Sequence, residues 1–344
     1  TCNTLLATVT NVAPTVDAGT DQTVDEGSFI SLAPSTFNDV GTLDTHTATI
    51  NWGDGAATDV GVVTEAPFGP PGSTSGANGT VSGSHVYADN GTYTVTVCVK
   101  DDEGAETCDT LVATVTNVAP TVDAGADQTI PEGSVISLAP STFNDKGTAD
   151  THTATINWGD GASTEAGAVS ETPFGPPGST TGANGAVVGS HVYADNGAYT
   201  VTACVKDDEG AETCDTLIAT VTNVAPTVDA GADQTIAEGS VINLAPSTFN
   251  DKGTADTHTA TINWGDGTAT EVGVLSEAPF GPPGSTAGAN GTVAGSHVYA
   301  DNGAYTVTVC VKDDEGAETC DTLVANVINV APTIDAGANI ASNE

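Results

Sequence analysis

The sequence repeats itself every 106 residues, and this repeat limits the folds that the chain can adopt. The string Asn-Val-Ala-Pro-Thr begins at Asn11, Asn117, Asn223 and Asn329. Full units therefore occupy residues 11–116, 117–222 and 223–328, while residues 1–10 match the end of a unit and 329–344 loosely match its beginning. Such a unit is too long for one turn of a solenoid and has the size of a β-sandwich domain. We therefore predict three tandem domains, preceded by the last strand of one repeat and followed by the start of another.

Alternation of apolar and polar residues marks the strands within a unit. From Thr92 to Val99, Tyr or Val occupies every odd position and Thr or Cys every even one, which is typical of a half-buried strand. The same reasoning places strands A to G of the first unit at residues 15–18, 28–32, 45–52, 58–64, 80–86, 92–100 and 107–116. Turn residues separate them, and no stretch has helical periodicity. The sequence thus predicts an all-β chain of tandem two-sheet sandwiches, with about seven strands each.

The charge of the chain is strongly one-sided. It has 45 Asp and Glu residues against 5 Lys, a net charge of −40. Such a surface repels nucleic acid and anionic membranes, because phosphate binding needs Lys and Arg. It attracts divalent cations, although adaptation to a saline environment explains the same charge without any ligand. No apolar run approaches the roughly 18 residues of a membrane helix. We therefore expect no nucleic-acid partner and no direct membrane insertion of this segment.

Two separated motifs resemble those of a known family. Residues 52–55 read Trp-Gly-Asp-Gly, and residues 87–95 read Tyr-Ala-Asp-Asn-Gly-Thr-Tyr-Thr-Val. Related strings recur around Trp158 and Trp264 in the second and third units. In both motifs the chain is similar to the polycystic-kidney-disease (PKD) domain family. This resemblance implies immunoglobulin-like sandwiches, used as spacers or adhesion modules of secreted and surface proteins, with no catalytic activity. Joined in tandem by short linkers, such sandwiches are expected to form an elongated rod.

The residues themselves give no sign of an active site. The sequence contains no G-x-S-x-G or H-E-x-x-H motif and no nucleophilic Cys with a matching base. Each unit has two His, such as His46 and His85, whose places beside predicted strands favour structural roles. We therefore expect a protein that is not an enzyme.

The cysteines occur in pairs ten positions apart, on either side of the turn between strands F and G. Residues that face one another in an antiparallel hairpin are close enough for a disulfide. The alternative is a metal-binding thiol pair, but no further His or Cys lies at ligand spacing. Disulfides imply an oxidising, extracellular compartment or cell surface, and Cys2 has no partner within the sequence. The predicted pairs are Cys98 with Cys108, Cys204 with Cys214, and Cys310 with Cys320.

Acidic loops suggest calcium sites at the N-terminal end of each domain. The B–C and F–G loops should meet the linker Asn there, and converging oxygen ligands suit Ca²⁺. The resemblance adds that some PKD domains bind calcium near this end. Across the linker, Asp54 and Asp89 of one unit should face these loops of the next. The alternative is a set of Asx turns and solvated loops without an ion. The candidate ligands are Asn11, Asp39, Asp101 and Asp102, then Asn117, Asp145, Asp207 and Asp208, then Asn223, Asp251, Asp313 and Asp314.

The linkers are short, which favours a rigid array. Strand G ends at Thr116 and strand A begins near Thr121, so residues 117–120 are nearly the whole joint, and Pro120 restricts its φ angle. We interpret the chain as a segment of a structural or adhesive extracellular stalk or fibre, a repetitive spacer stiffened by calcium. Its partners would be neighbouring repeats of the same chain and other copies of itself.

The alternative function is an accessory carbohydrate- or protein-binding module of a secreted hydrolase. A row of exposed aromatic residues would favour it, but the Trp residues lie in predicted strand C, where they indicate core packing. Phe68, within 67–72, either exposes an aromatic ring or covers the edge of the core.

Overall fold

A computed structural model of the chain describes residues 2–32, 34–65, 73–138, 141–171, 178–244, 246–277 and 284–337. Phe68 and the last seven residues, 338–344, lie outside the described residues. The regular structure of the described residues is all β-strand, and none of it includes a helix long and apolar enough to cross a membrane. We call residues 11–116, 117–222 and 223–328 domains 1, 2 and 3.

The described residues of domain 1 form ten strands. They are β1 (Thr15–Asp17), β2 (Gln22–Asp25), β3 (Phe29–Ser31), β4 (Ser35–Asp39), β5 (His46–Asn51), β6 (Asp59–Glu65), β7 (Ala77–Ser82), β8 (Ser84–Val86), β9 (Gly91–Asp101) and β10 (Glu106–Thr116). Eight of them hydrogen-bond in the order β1-β4-β7-β6-β5-β9-β10-β2, and β3 pairs with β8.

Domains 2 and 3 repeat this plan. Domain 2 has β11 (Thr121–Asp123), β12 (Gln128–Pro131), β13 (Val135–Ser137), β14 (Ser141–Asp145), β15 (Thr153–Asn157), β16 (Glu165–Glu171), β17 (Ala183–Val188), β18 (Ser190–Val192), β19 (Gly197–Lys206) and β20 (Glu212–Thr222). Domain 3 has β21 (Thr227–Asp229), β22 (Gln234–Ala237), β23 (Val241–Asn243), β24 (Ser247–Asp251), β25 (Thr259–Asn263), β26 (Glu271–Val272), β27 (Val274–Glu277), β28 (Ala289–Ala294), β29 (Ser296–Val298), β30 (Gly303–Lys312) and β31 (Glu318–Ile328).

Strand β6 passes from one layer of the sandwich to the other. Its first half pairs with β5 and its second half with β7. Gly61 lies at the crossing, where a Cβ would be 2.7 Å from Val81 Cγ1, so a glycine lets the strand run next to the core. In domain 3 its counterpart Gly273 interrupts the strand, and the layers separate into sheets β21-β24-β28-β27 and β22-β31-β30-β25-β26.

The alternation seen in the sequence decides which residues enter the core. In β9, Val95, Val97 and Val99 are fully buried, while the intervening Thr and Cys side chains lie on the outer face. Trp52 is 2% exposed, and its backbone carbonyl accepts a hydrogen bond from the Tyr87 hydroxyl at 2.9 Å. Trp158 and Trp264 are buried in the same way, which confirms their prediction as core residues.

The structure also corrects the predicted strands. The segments β2 and β4 were not predicted, because β2 pairs in parallel with the distant β10 and β4 follows a Pro. The predicted strand E is two strands, β7 and β8, which separate at Gly83. A Cβ at Gly83 would meet Ile50 Cδ1, so the chain changes partner where it passes over the core.

The three domains bury little surface against one another. The 33.9 kDa chain exposes 18266 Å², whereas a compact globule of that mass exposes about 12,800 Å². Each domain has its own hydrophobic core. Residues 2–10, which match a strand G in sequence, form no strand, and Leu5 is 94% exposed.

Candidate functional site at the joints between domains

The linker Asn of each domain contacts its F–G loop, as the sequence predicted. Asn117 Nδ2 donates to Asp207 Oδ2 at 2.9 Å, and the pairs Asn11–Asp101 and Asn223–Asp313 repeat this bond at 2.8 and 2.9 Å. In the second and third domains, the Oδ1 of the linker Asn is buried and has no hydrogen-bond partner. Two of the four predicted ligands of each domain, the linker Asn and the first Asp of the F–G loop, are therefore in direct contact.

The B–C loop carboxylate holds a buried histidine. Asp145 Oδ2 lies 2.9 Å from His152 Nε2, and the other ring nitrogen lies 2.9 Å from Glu171 Oε1. Burial alone lowers the pKa of His152, but the hydrogen bonds to the two carboxylates outweigh it and raise the pKa. His46 with Asp39 and His258 with Asp251 are arranged in the same way, so these histidines are structural.

Other predicted carboxylates also accept backbone hydrogen bonds. Asp101 Oδ1 accepts from Ala105 N at 2.8 Å, and Asp102 Oδ1 accepts from Thr45 N at 2.9 Å. These bonds give both carboxylates a structural role, one within the F–G loop and one between the F–G loop and the start of β5, that needs no ion. Ligand oxygens of Asp39 and Asp101 nevertheless lie within 4.8 Å of one another and of Asp44, so two of the predicted carboxylates of domain 1 are close enough to share an ion.

Consecutive domains are joined by a repeated set of backbone contacts. At joint 1, between domains 1 and 2, Ala149 N donates to Ala88 O at 3.0 Å, and at joint 2, between domains 2 and 3, Ala255 N donates to Ala194 O at 2.9 Å. Gly27 packs against Lys146, where a Cβ would be 2.7 Å from the Lys146 carbonyl oxygen. The domains thus meet through backbone at close range rather than through long side chains.

Carboxylates from both domains meet inside each joint. At joint 1 the group consists of Glu26 and Asp89 of domain 1 and Asp150 of domain 2, with ligand oxygens within 4.8 Å of one another. Glu26 is 0% exposed and Asp150 2%, while Asp89 is half-buried. We call this group, with its counterpart Glu132, Asp195 and Asp256 at joint 2, the joint cluster.

Burial makes negative charge unfavourable at these positions. It raises the pKa of Glu26 to about 7, against a smaller opposing effect of the bond from Val118 N, and raises the pKa of Asp150 to about 8. Neighbouring carboxylates shift both pKa values in the same direction. At joint 2 the pKa values of Glu132 and Asp256 are likewise about 7 and about 8.

Comparison with family models decides what kind of domain surrounds these clusters. The model described as PKD domain matches residues 11–116, 117–222 and 223–327, which is nearly the whole chain. The chain belongs to the PKD domain family. No match was found among curated protein sequences.

Solved structures similar to these PKD domains are also tandem β-domain proteins. Mouse cadherin-23 EC22-24 is 14% identical, with 92% of this chain and 99% of that chain covered and a TM-score of 0.28. Drosophila N-cadherin EC1-4 is 15% identical over 90% of this chain and 73% of that chain, with a TM-score of 0.27. The fibronectin(III)-like modules of Clostridium thermocellum CbhA are 16% identical over 64% and 100%, with a TM-score of 0.23. The identities and TM-scores are too low for an inference about function.

The cysteines of the PKD domains form the three predicted disulfides. Cys98 pairs with Cys108, Cys204 with Cys214 and Cys310 with Cys320, each between facing residues of a hairpin. Cys108, Cys214 and Cys320 are exposed, so the bonds lie on the solvent face of one sheet and do not join the two layers. Cys2 is an exposed free thiol.

Sequence reasoning placed Asp89 at the joint but missed the other members of the joint cluster. Glu26 directly follows β2, which was itself not predicted, and Asp150 becomes a neighbour of Glu26 only when two PKD domains dock. A usable signal was present, since Glu-Gly-Ser recurs at 26, 132 and 238 and Gly-Thr-x-Asp at 41, 147 and 253. Asp54, also predicted to face the joint, lies 2.7 Å from His85 Nε2 and is not a member of the joint cluster.

Proposed function

We propose that this chain is a non-enzymatic segment of an extracellular stalk or fibre, in which tandem PKD domains act as a rigid, repetitive spacer with a structural or adhesive role. The observation that carries the proposal is that both joints repeat the same close backbone contact, Ala149 N to Ala88 O and Ala255 N to Ala194 O. A contact of this kind leaves little freedom for one domain to bend against the next, because a shift of about 1 Å breaks a hydrogen bond.

The linker supports the same proposal. Val118 N donates to Glu26 Oε1 at 2.7 Å, and Val224 N to Glu132 Oε1 at 2.6 Å, so each linker is fixed to the domain that precedes it. On the other side, Asn117 and Asn223 fix the linker to the domain that follows. With both sides held, the joint transmits orientation from one domain to the next.

Calcium is proposed to stiffen the joints through the acidic N-terminal ends. The ligands would come from the sets Asn11, Asp39, Asp101 and Asp102 in domain 1, Asn117, Asp145, Asp207 and Asp208 in domain 2, and Asn223, Asp251, Asp313 and Asp314 in domain 3. Their convergence and the net charge of −40 favour a hard, oxygen-binding cation. Without it, like charges lie within a Debye length of about 8–10 Å and repel.

The extracellular setting rests on the cross-strand disulfides, which persist in oxidising compartments. Partners are proposed to be neighbouring repeats of the same chain and, in a fibre or surface layer, other copies. The alternative of a carbohydrate-binding accessory module gains no support from the described residues. Their Trp side chains are buried, and the exposed Phe29 is replaced by Val135 and Val241 in the other domains.

Small-angle scattering and thermal melting test the proposal. The full chain should have a greater maximum dimension, and a higher Tm, in millimolar calcium than in chelator, and magnesium should have a smaller effect. Identical scattering in calcium and chelator would leave a spacer that needs no cation. A compact particle in both conditions would contradict the rod.

A further inference from the structure

The joint cluster differs from the predicted ligand sets because two domains build it. Glu26 and Asp89 come from the C-terminal end of domain 1 and Asp150 from the N-terminal end of domain 2. Gly147 lets the Asp150 carboxylate fold back, since a Cβ at that position would overlap its oxygens. The arrangement is repeated at joint 2 by Glu132, Asp195 and Asp256.

The buried oxygens of the cluster lack hydrogen-bond partners. Glu26 Oε1 accepts from Val118 N, but Glu26 Oε2 and both carboxylate oxygens of Asp150 have none among the described residues. At joint 2, Glu132 Oε2 and both carboxylate oxygens of Asp256 are also buried without a hydrogen-bond partner among the described residues. Unpaired carboxylate oxygens out of contact with water are costly, so their recurrence at the same place points to a ligand that they hold in common.

The positive groups of the same loop are bonded elsewhere. Lys146 Nζ donates to Thr180 O at 2.8 Å, and His152 lies between Asp145 and Glu171. The cluster therefore offers only oxygen atoms, all from carboxylates, to whatever it binds. Hard divalent cations prefer such ligands, and Ca²⁺ tolerates the irregular geometry that two separate domains provide.

We propose that each joint binds one divalent cation of the Ca²⁺ class between the carboxylates of consecutive domains, at Glu26, Asp89 and Asp150 in joint 1 and at Glu132, Asp195 and Asp256 in joint 2. This rests on the proposed stiffening by calcium but places the strongly bound ion at the joint cluster rather than at the ligand sets within each domain, since an ion held by both domains opposes bending directly. A single domain supplies only part of the site. The number of strong sites therefore equals the number of joints, two in this chain, whereas ligand sets complete within each domain would give three.

Calorimetric titration of the full chain with CaCl₂, at about 0.15 M NaCl to screen diffuse binding, counts the sites. We expect two sites per chain with dissociation constants of roughly 10⁻⁴–10⁻³ M, the range of extracellular modules. Glu26→Gln should leave one site and Glu26→Gln/Glu132→Gln none, since Gln keeps the acceptor for Val118 N. Glu238→Gln is the matched control, because Glu238 lies at the same repeat position but outside joints 1 and 2, and this variant should keep both binding sites.

Asp150→Asn removes the ligand that domain 2 supplies and should also leave one calcium-binding site per chain. Its control is Asp44→Asn, at the same repeat position in domain 1, which should leave both sites. Circular dichroism would check that each variant keeps its strands. Three sites, no binding, or two sites in Glu26→Gln/Glu132→Gln would overturn the inference. Scattering separates it from the proposed function: two sites that vanish in the double variant, with no change in maximum dimension, would keep the site and refute the stiffening.

Discussion

Equivalent positions of the repeat occupy two different environments in this chain. Some lie inside joints 1 and 2, and their counterparts lie at the N-terminal end of domain 1 or the C-terminal end of domain 3. Glu26 is 0% exposed at joint 1, whereas its counterpart Glu238 is half-buried. Asp150 is 2% exposed, whereas Asp44 is half-buried. Local structure is unchanged, because Glu238 Oε1 still accepts from Val330 N at 2.7 Å as Glu26 does from Val118 N.

The burial of these carboxylates is therefore a property of two docked domains and not of a single one. The neighbouring domain removes water from carboxylates that the local fold has already positioned. Ala88 and Ala194 are half-buried in the joints, while Ala300 at the end of domain 3 is exposed, which follows the same pattern. An array therefore has properties at its joints that no single repeat has.

The largest effect should come from removing a core Trp. Trp158→Ala should cost about 3–5 kcal/mol, because it leaves a large cavity among buried side chains. Domain 2 contributes to both joints, so this variant should loosen both, whereas Trp264→Ala should cost a similar amount and loosen only joint 2. Urea unfolding and scattering would measure the two effects. A near-zero cost would show that strand β15 is misplaced.

Removing a disulfide should lower the free energy of unfolding by less, and by the same amount in each of the three domains. Cys204→Ala/Cys214→Ala should cost about 2–3 kcal/mol by the chain-entropy argument for a short loop. The matched double variants of domains 1 and 3 should cost the same, since these bonds lie away from the joints.

Thiol counting provides the control for this prediction. The unfolded, unreduced chain should show one free thiol, Cys2, or none if it has dimerised. Six or seven free thiols would contradict both the disulfides and the oxidising compartment.

Acidity should strengthen the joints when no cation is present. The pKa values of Glu26 and Asp150 are raised to about 7 and about 8 when the domains are docked, so the docked state binds protons more tightly than the separated one. Docking stability is then complete at acidic pH and is lost as the pH rises through these two values. The expected change is on the order of 1 kcal/mol or more per joint.

Scattering of the chain in chelator at about pH 5.5 and about pH 8.5 would measure this change. Glu26→Gln/Glu132→Gln should reduce the pH dependence. It leaves in place the histidine triads, which are His152 with Asp145 and Glu171 and the equivalent groups at His46 and His258, and the raised pKa values of these histidines act in the same direction. An equally steep dependence in the variant would assign it to the triads instead.

The smallest effect should come from the backbone contact at the joint. Ala149→Pro removes the N–H that donates to Ala88 O, at an expected cost of about 0.5–1.5 kcal/mol. Leu43→Pro makes the same change at the free end, where Leu43 is 78% exposed. The difference in Tm between the two variants isolates the contact, and equal shifts would mean that it adds nothing to stability.

The repeat and its alternation were enough to predict the sandwich, the buried Trp residues and the disulfide pairing. These features depend on residues close in sequence or directly opposite in a hairpin, such as Cys98 and Cys108. Strand β2 could not be predicted, since its partner β10 lies far along the chain, and β4 could not because it follows a Pro and its partners β1 and β7 are not adjacent to it in the sequence. Periodicity over three to five residues carries too little signal to reveal such pairing.

The contact between Asn117 and Asp207 and the grouping of acidic loops at the N-terminal end of the domain could be predicted from the sequence, because both lie within one repeat. The burial of Glu26 against Asp150, with carboxylate oxygens that lack hydrogen-bond partners, is visible only in the tertiary structure. The physical reason is desolvation. Whether a carboxylate retains its water depends on the surface that covers it, and here that surface belongs to another domain.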